Sequence, residues 1–157
     1  MATNHCGPSL LTGLRLPHRA QADAGRVVTV ASRAHHRARR APLQDPRTPP
    51  FPYRKLRTYD RSKLANLLFA KELARRLAGT RRTANAVHPG VIMSNLWRHV
   101  PGIASFTMGL AGPLFLKTAA QGAATQVYVA VHPAVAASSG AYFADCNVAR
   151  PRADADD

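Results

Sequence analysis

The chain has 157 residues, 46% of them hydrophobic, which is enough for one domain with a buried core and excludes wholesale disorder. Twenty-two Lys and Arg against eight Asp and Glu leave a net charge of +14, which raises nucleic acid or an anionic membrane as partners. The two cysteines, Cys6 and Cys146, stand near opposite ends of the chain; they indicate neither a disulfide framework nor a zinc site, and a reducing compartment fits them.

Residues 1–16 place Leu10, Leu11, Leu14 and Leu16 at short helical spacing, interrupted by Gly7, Pro8 and Gly13, and Pro17 ends the pattern. Gly25 leads into the β-branched run 26–32, which ends at Ser32 and reads as a buried strand. Residues 33–58 are different in kind. They hold Pro42, Pro46, Pro49, Pro50, Pro52 and most of the arginine cluster, with almost no periodic apolar positions, and read as an irregular loop. Only Phe51 and Tyr53 supply aromatic faces there, so phosphate attraction without specific nucleic-acid recognition is expected. His35 and His36 are adjacent and lack ligand spacing, so no metal is expected at them.

Residues 59–77 read as the clearest helix, with Leu64, Leu67, Leu68, Leu73 and Leu77 in a broad apolar stripe and Gly79 as its stop. Residues 83–88 form a short strand running into the turn Pro89-Gly90. The uncharged stretch 100–116 is shorter than the roughly 20 apolar residues of a spanning helix and is broken by Pro101, Gly102, Gly109, Gly112 and Pro113. It reads as a buried or pocket-covering segment, and no signal peptide precedes it. Residues 119–131 are a second helix, stopped by Pro133; residues 140–144 are a last strand, and the tail after Asn147 is expected to fray. Strand alternating with helix is the rhythm of parallel α/β architecture.

The chemistry centres on Tyr59 and Lys63. Four residues apart on a helix, they share a face, and an ammonium beside a phenol favours the phenolate, which suits tyrosine to acid–base work. The spacing alone recurs by chance. Ser32, Asn4, and the Tyr59-Lys63 pair also admit plain readings as a strand-end cap, a helix cap and a solvated helix start.

Taken in order, these residues resemble the short-chain dehydrogenases/reductases. Ser32 ends a Val-rich strand, Tyr59-x-x-x-Lys63 lies on the next helix, and His88-Pro89-Gly90 follows the next strand. Residues 62–68, 73–77, 83–91, 121–125 and 142–147 are similar to the retinol-dehydrogenase-like branch, which includes a chloroplast-translocon-associated enzyme. Thr3-Asn4-His5 and Leu10-Leu11-Thr12 are similar to the helix before the serine strand. The resemblance spans nearly the whole chain except about residues 37–56.

It implies an α/β fold, part of a Rossmann-like doubly wound parallel sheet with the N-terminal βαβ units missing. On this reading residues 1–150 form the C-terminal portion of that domain, with the irregular loop at 33–58, and 151–157 form a tail. About three strands are expected, with the serine strand at an exposed edge. The resemblance further implies a catalytic tetrad of Asn4, Ser32, Tyr59 and Lys63. Tyr59 passes the proton to or from the substrate oxygen, Ser32 hydrogen-bonds that oxygen, Lys63 serves the phenol and the nicotinamide ribose, and Asn4 positions a water. Tyr59, Lys63, Pro89, Gly90 and Ser94 are the residues expected at NADP. The implied substrate is a hydrophobic alcohol or carbonyl compound, admitted by residues 103–116.

The sequence carries no Gly-x-Gly-x-x-Gly, and that cluster forms the pyrophosphate turn of dinucleotide folds. Weak or absent cofactor binding by the chain alone is therefore expected. Pro8, standing where the family's helix wants a donor, and Pro17, which cuts that helix short, are also expected to weaken the site. A rival reading is a non-catalytic interaction protein forming a homo- or hetero-dimer through helix 59–77. A cytoplasmic location is expected, with plastid association as the alternative and no membrane contact.

Overall fold

The computed structural model describes residues 1–17, 24–38, 54–92 and 116–155. Its centre is a four-stranded sheet in the order β1 (Gly25–Val30), β2 (Arg82–His88), β3 (Tyr142–Ala144), β4 (Asn147–Val148). The first three strands are parallel, paired Gly25 to Arg82 through Val30 to Val87, then Ala86 to Tyr142 through His88 to Ala144. The Ala31 amide donates to the Val87 carbonyl at 2.9 Å and carries the β1 pairing one residue further. Strand β4, which the sequence did not signal, turns back antiparallel on β3. The turn between them puts Asp145 (φ 52°) and Cys146 (φ 60°) both in the left-handed region, the geometry of a two-residue hairpin turn.

Helix α1 (Gly7–Arg15) is preceded by one π-helical turn, Ala2–Cys6. Pro8 lies within the first two positions of α1, which continues directly from that π-helical turn. The helix stops before Pro17, at Arg15. Helix α2 (Lys55–Arg76) begins four residues before the expected start at Tyr59. Its added turn, from Lys55 to Thr58, is mostly exposed and so carries no apolar period to read. Ser32 is followed by a 3-10 turn, Arg33–Arg37, so both ends of the stretch expected as irregular loop are helical; residues 39–53 lie outside the described residues. Helix α3 spans Ala119–Val131, as expected, and starts on a capping box. Thr118 Oγ1 accepts from the Gln121 amide at 3.2 Å, and Gln121 Oε1 accepts from the Thr118 amide at 2.9 Å.

The sheet is covered on both faces. Leu67, Ala70 and Leu73 of α2 pack on Ala31, Ala84, Ala86 and Tyr142, while Val129 of α3 packs on Val87 and Phe143. Alternate strand residues thus face opposite helices, which requires a sheet apolar on both sides. The segment expected to fray continues as a 3-10 turn, Ala153–Ala155, and Ala155 is buried in the α2-side cluster. The anticipated exposed edge is β1, where Val30 is 40% exposed. Leu67 and Leu73 of the α2 stripe are buried, whereas Leu56 in the first turn of α2 and Leu10, Leu11 and Leu14 of α1 are exposed.

Candidate functional site

Of the predicted site residues, Ser32 follows the C-terminal end of β1, Pro89 and Gly90 follow that of β2, and Lys63 of α2 is hydrogen-bonded to Val30 at the end of β1. Ser32 stands just past β1 in extended backbone (φ −168°) and caps the following turn, its Oγ accepting from the Ala34 amide at 3.2 Å. A hydroxyl that accepts an N–H keeps its own proton to donate. The capping and catalytic readings of Ser32 are therefore compatible. The Arg37 guanidinium grips the buried Asp60 carboxylate with two bonds, Nη2 at 3.0 Å and Nε at 3.4 Å, and so ties the end of the serine turn to the start of α2.

On α2, Tyr59 is 37% exposed. The Lys63 ammonium lies 5.6 Å from the centre of the Tyr59 ring and donates to the Val30 carbonyl at 3.0 Å. Burial holds the Lys63 pKa below the ordinary lysine value. Its bond to Val30 uses one of three ammonium protons. Ser62, one residue earlier, donates to the Tyr59 carbonyl at 2.7 Å and accepts from Asn4 Nδ2 at 3.3 Å. The Asn4 side chain is thus joined to α2 through Ser62, and its backbone carbonyl accepts from Asn66 Nδ2 at 2.9 Å. Asn66 Nδ2 also donates to Val30 O at 3.1 Å, and Asn66 Oδ1 stands 3.0 Å from His5 Nδ1.

Asn66, His5 and the Arg37–Asp60 pair were not singled out from the sequence. Asn66 did carry a signal: it is a carboxamide inside the apolar stripe of α2, and a buried polar side chain needs partners.

At the end of β2, His88 is 6% exposed and leads into Pro89 and Gly90. Burial, with Arg33 nearby, pushes the His88 imidazole down to about 4, and Nδ1 has no hydrogen-bond partner among the described residues. Gly90 has φ +88°, and a Cβ there would meet Lys117 Cδ at 2.7 Å. Lys117 is ion-paired with Asp145, whose carboxyl it holds below the usual range by hydrogen bonding. The Lys117 amide donates to Val91 O at 2.8 Å, and Ile92 and Lys117 form a parallel bridge. Ser94 lies outside the described residues, as does nearly all of the apolar segment 103–116. His35 is a structural residue: Nδ1 donates to Ser32 O at 2.5 Å and Nε2 accepts from the Arg152 amide at 3.3 Å.

The donor set at Lys63 and Tyr59 fits the ribose and nicotinamide end of a dinucleotide: among the described residues the ammonium hydrogen-bonds only Val30 O and stands beside a partly exposed phenol. The described residues hold no glycine-rich turn opening a helix, so the pyrophosphate end has no matching cradle among them. No described helix is long and apolar enough to cross a membrane.

No family model matches this sequence. Individual proteins do. The chain is 41% identical to mouse retinol dehydrogenase 14 over 91% of its own length, and 40% identical to the chloroplastic short-chain dehydrogenase TIC 32 A of Brassica napus over 96%. These matches take in 43% and 49% of the two relatives, so the chain spans about half the length of the curated relatives it matches. A crystal structure of an uncharacterised protein from Mycobacterium paratuberculosis superimposes with a TM-score of 0.70 at 31% identity, covering 99% of this chain and 51% of the other. Actinorhodin polyketide ketoreductase, solved with NADPH, shares the fold at a TM-score of 0.66 and 20% identity, covering 90% of this chain and 54% of its own.

Proposed function

Because this chain belongs, over the part it spans, to the short-chain dehydrogenases/reductases, we propose that it supplies the acid–base half of an NADP-dependent oxidoreductase acting on hydrophobic alcohols and their aldehydes or ketones. The observation that carries this reading is the placement of Lys63, fixed on the Val30 carbonyl while its ammonium lies 5.6 Å from the Tyr59 ring centre. In the reducing direction the Tyr59 hydroxyl gives its proton to the carbonyl oxygen, and in the oxidising direction the phenolate takes the proton back. The Ser32 hydroxyl donates to the same oxygen and steadies the charge that grows on it. Lys63 would offer its remaining ammonium protons to ribose hydroxyls. When bound, the nicotinamide group supplies or accepts the hydride at the substrate carbon. Pro89 and Gly90 would close the nicotinamide end.

The chain alone binds the cofactor weakly, because nothing in its sequence supplies the pyrophosphate turn. Nicotinamide mononucleotide at millimolar concentration should shift the NMR signals of Tyr59 and Lys63, and Lys63→Met should abolish the shifts. NADPH should bind no more than a few-fold tighter. Absence of any response in the wild type overturns the assignment, and micromolar NADPH affinity overturns the weak-binding claim.

A second reading, pairing with another polypeptide without catalysis, is favoured by one specific surface. Besides helix 59–77, it is the β1 edge of the described sheet, where Leu11 of α1 lines a groove with Val27 and Val28. Size measurement of the purified chain with and without Leu11→Glu and Leu14→Glu tests it, and an unchanged monomer in both removes self-pairing.

A further inference from the structure

Asn66 sits at the junction of three elements and is 4% exposed. A carboxamide offers two N–H donors and one acceptor oxygen. Both donors are spent on backbone carbonyls, Asn4 O at 2.9 Å and Val30 O at 3.1 Å. Carbonyls only accept, so the reversed orientation would set the Asn66 oxygen against two other oxygens. The orientation is therefore fixed, and Oδ1 must accept from the group that faces it, His5 Nδ1 at 3.0 Å. That requires His5 to carry its proton on Nδ1, whichever charge state the ring adopts. Ser9 Oγ, 3.4 Å from the same nitrogen, is then a second and longer acceptor of that proton. At the other end, the Val30 carbonyl receives both Asn66 Nδ2 and Lys63 Nζ, which fills its two lone pairs.

We propose that Asn66 is a positioning residue of the Tyr59–Lys63 site. Held by His5, it acts as a three-way clamp that orients the Val30 carbonyl on which Lys63 is tethered and fixes the Asn4 backbone to α2. Asn66 touches neither the reacting atoms nor Tyr59; it acts through Val30 on Lys63 and through the Asn4 carbonyl on the first turn of the chain. A residue that merely satisfied its own polar atoms would need only to be hydrogen-bonded. This one spends every donor on the two backbone groups that locate members of the tetrad. The functional weight of the clamp rests on the acid–base reading of Tyr59 and Lys63, but the clamp itself is measurable without any ligand.

The test uses the full ligand-free chain labelled with nitrogen-15 at His and Lys. In the wild type, His5 should show the Nδ1–H tautomer, opposite to the Nε2–H form that free imidazole favours. In Asn66→Ala, His5 should revert to the Nε2–H form. The Lys63 titration should also move up by about half a pH unit or more as the ammonium leaves Val30 for solvent. Should Asn66→Ala fail to fold, His5→Phe removes only the donor to Oδ1 and should shift Lys63 the same way by less, while His5→Asn, which can still donate, should restore it. A wild-type His5 in the Nε2–H form overturns the proposal. So does a folded Asn66→Ala or His5→Phe chain with an unmoved Lys63 titration. Failure of nicotinamide mononucleotide to bind would sink the proposed function and leave the clamp standing; binding with normal Lys63 behaviour in the variants would do the reverse.

Discussion

His88 gives the sharpest test of the electrostatics at the strand ends. It is 6% exposed, faces the charges of Arg33, Asp145, Lys117 and His35, and titrates near about 4 in the folded chain against 6.5 for a free imidazole. Between those values the unfolded chain holds a proton that the folded chain does not. Stability is therefore full above pH 6.5 and falls as the pH drops toward 4. Worked through, this one group removes about 2 kcal/mol between pH 7 and pH 5, since a full proton difference is worth about 1.4 kcal/mol per pH unit. His35, also lowered chiefly by burial, acts in the same direction. The carboxyls of Asp145 and Glu72, held below their usual range by Lys117 and by Arg75 with Arg76, contribute only at more acid pH. Urea unfolding at half-unit steps from pH 7 to pH 5 measures the slope, and His88→Asn should flatten it by about 2 kcal/mol across the range. Parallel curves for the wild type and the variant would refute the reasoning.

Two further outcomes follow from packing. Leu67 is fully buried against Ala31, Ala70 and Ala86, so Leu67→Ala should cost about 2–5 kcal/mol in chemical denaturation; a loss below about 1 kcal/mol would mean that the α2 face is loosely seated. Gly122 in α3 would place a Cβ 2.7 Å from Ile92 Cγ1 and closer still to Cδ1. Gly122→Ala gains about 1 kcal/mol of helix propensity and meets about 1–3 kcal/mol of overpacking. A net loss is expected, and a double-mutant cycle with Ile92→Ala should show the two changes favourably coupled; additivity within about 0.3 kcal/mol would disprove the contact.

The parts of the fold legible in the sequence were those whose pattern and end signals agreed. Residues 119–131 were rich in alanine with Pro133 behind, and α3 has those limits. The start of α2 was not legible. Lys55, Leu56 and Arg57 lie outside the core, and basic residues oppose the positive end of a helix, so neither period nor charge marked the first turn. Strand β4 escaped because its turn uses Asp145-Cys146 where Asn-Gly is the usual signal for two left-handed residues. At the site, Tyr59 and Lys63 were readable because their relation is local to one helix. The Arg37–Asp60 pair and the His5–Asn66–Val30 chain join residues far apart in sequence, and only the sheet brings them together.

The parallel pairing of β1 with β2 has a kinetic consequence. Residues such as Gly25 and Arg82, more than fifty positions apart, must meet before a single ladder bond forms between them, and long-range closures of this kind are slow. Helix α2, by contrast, can form from local contacts in microseconds or less. Tyr59 and Lys63 are therefore spaced early in folding, while the Val30 carbonyl that holds the lysine arrives late. Conditions that fray β1 would leave a folded helix bearing both side chains with its ammonium untethered. Amide exchange at Ala31, bonded to Val87 across that pairing, would report the loss before helicity changed.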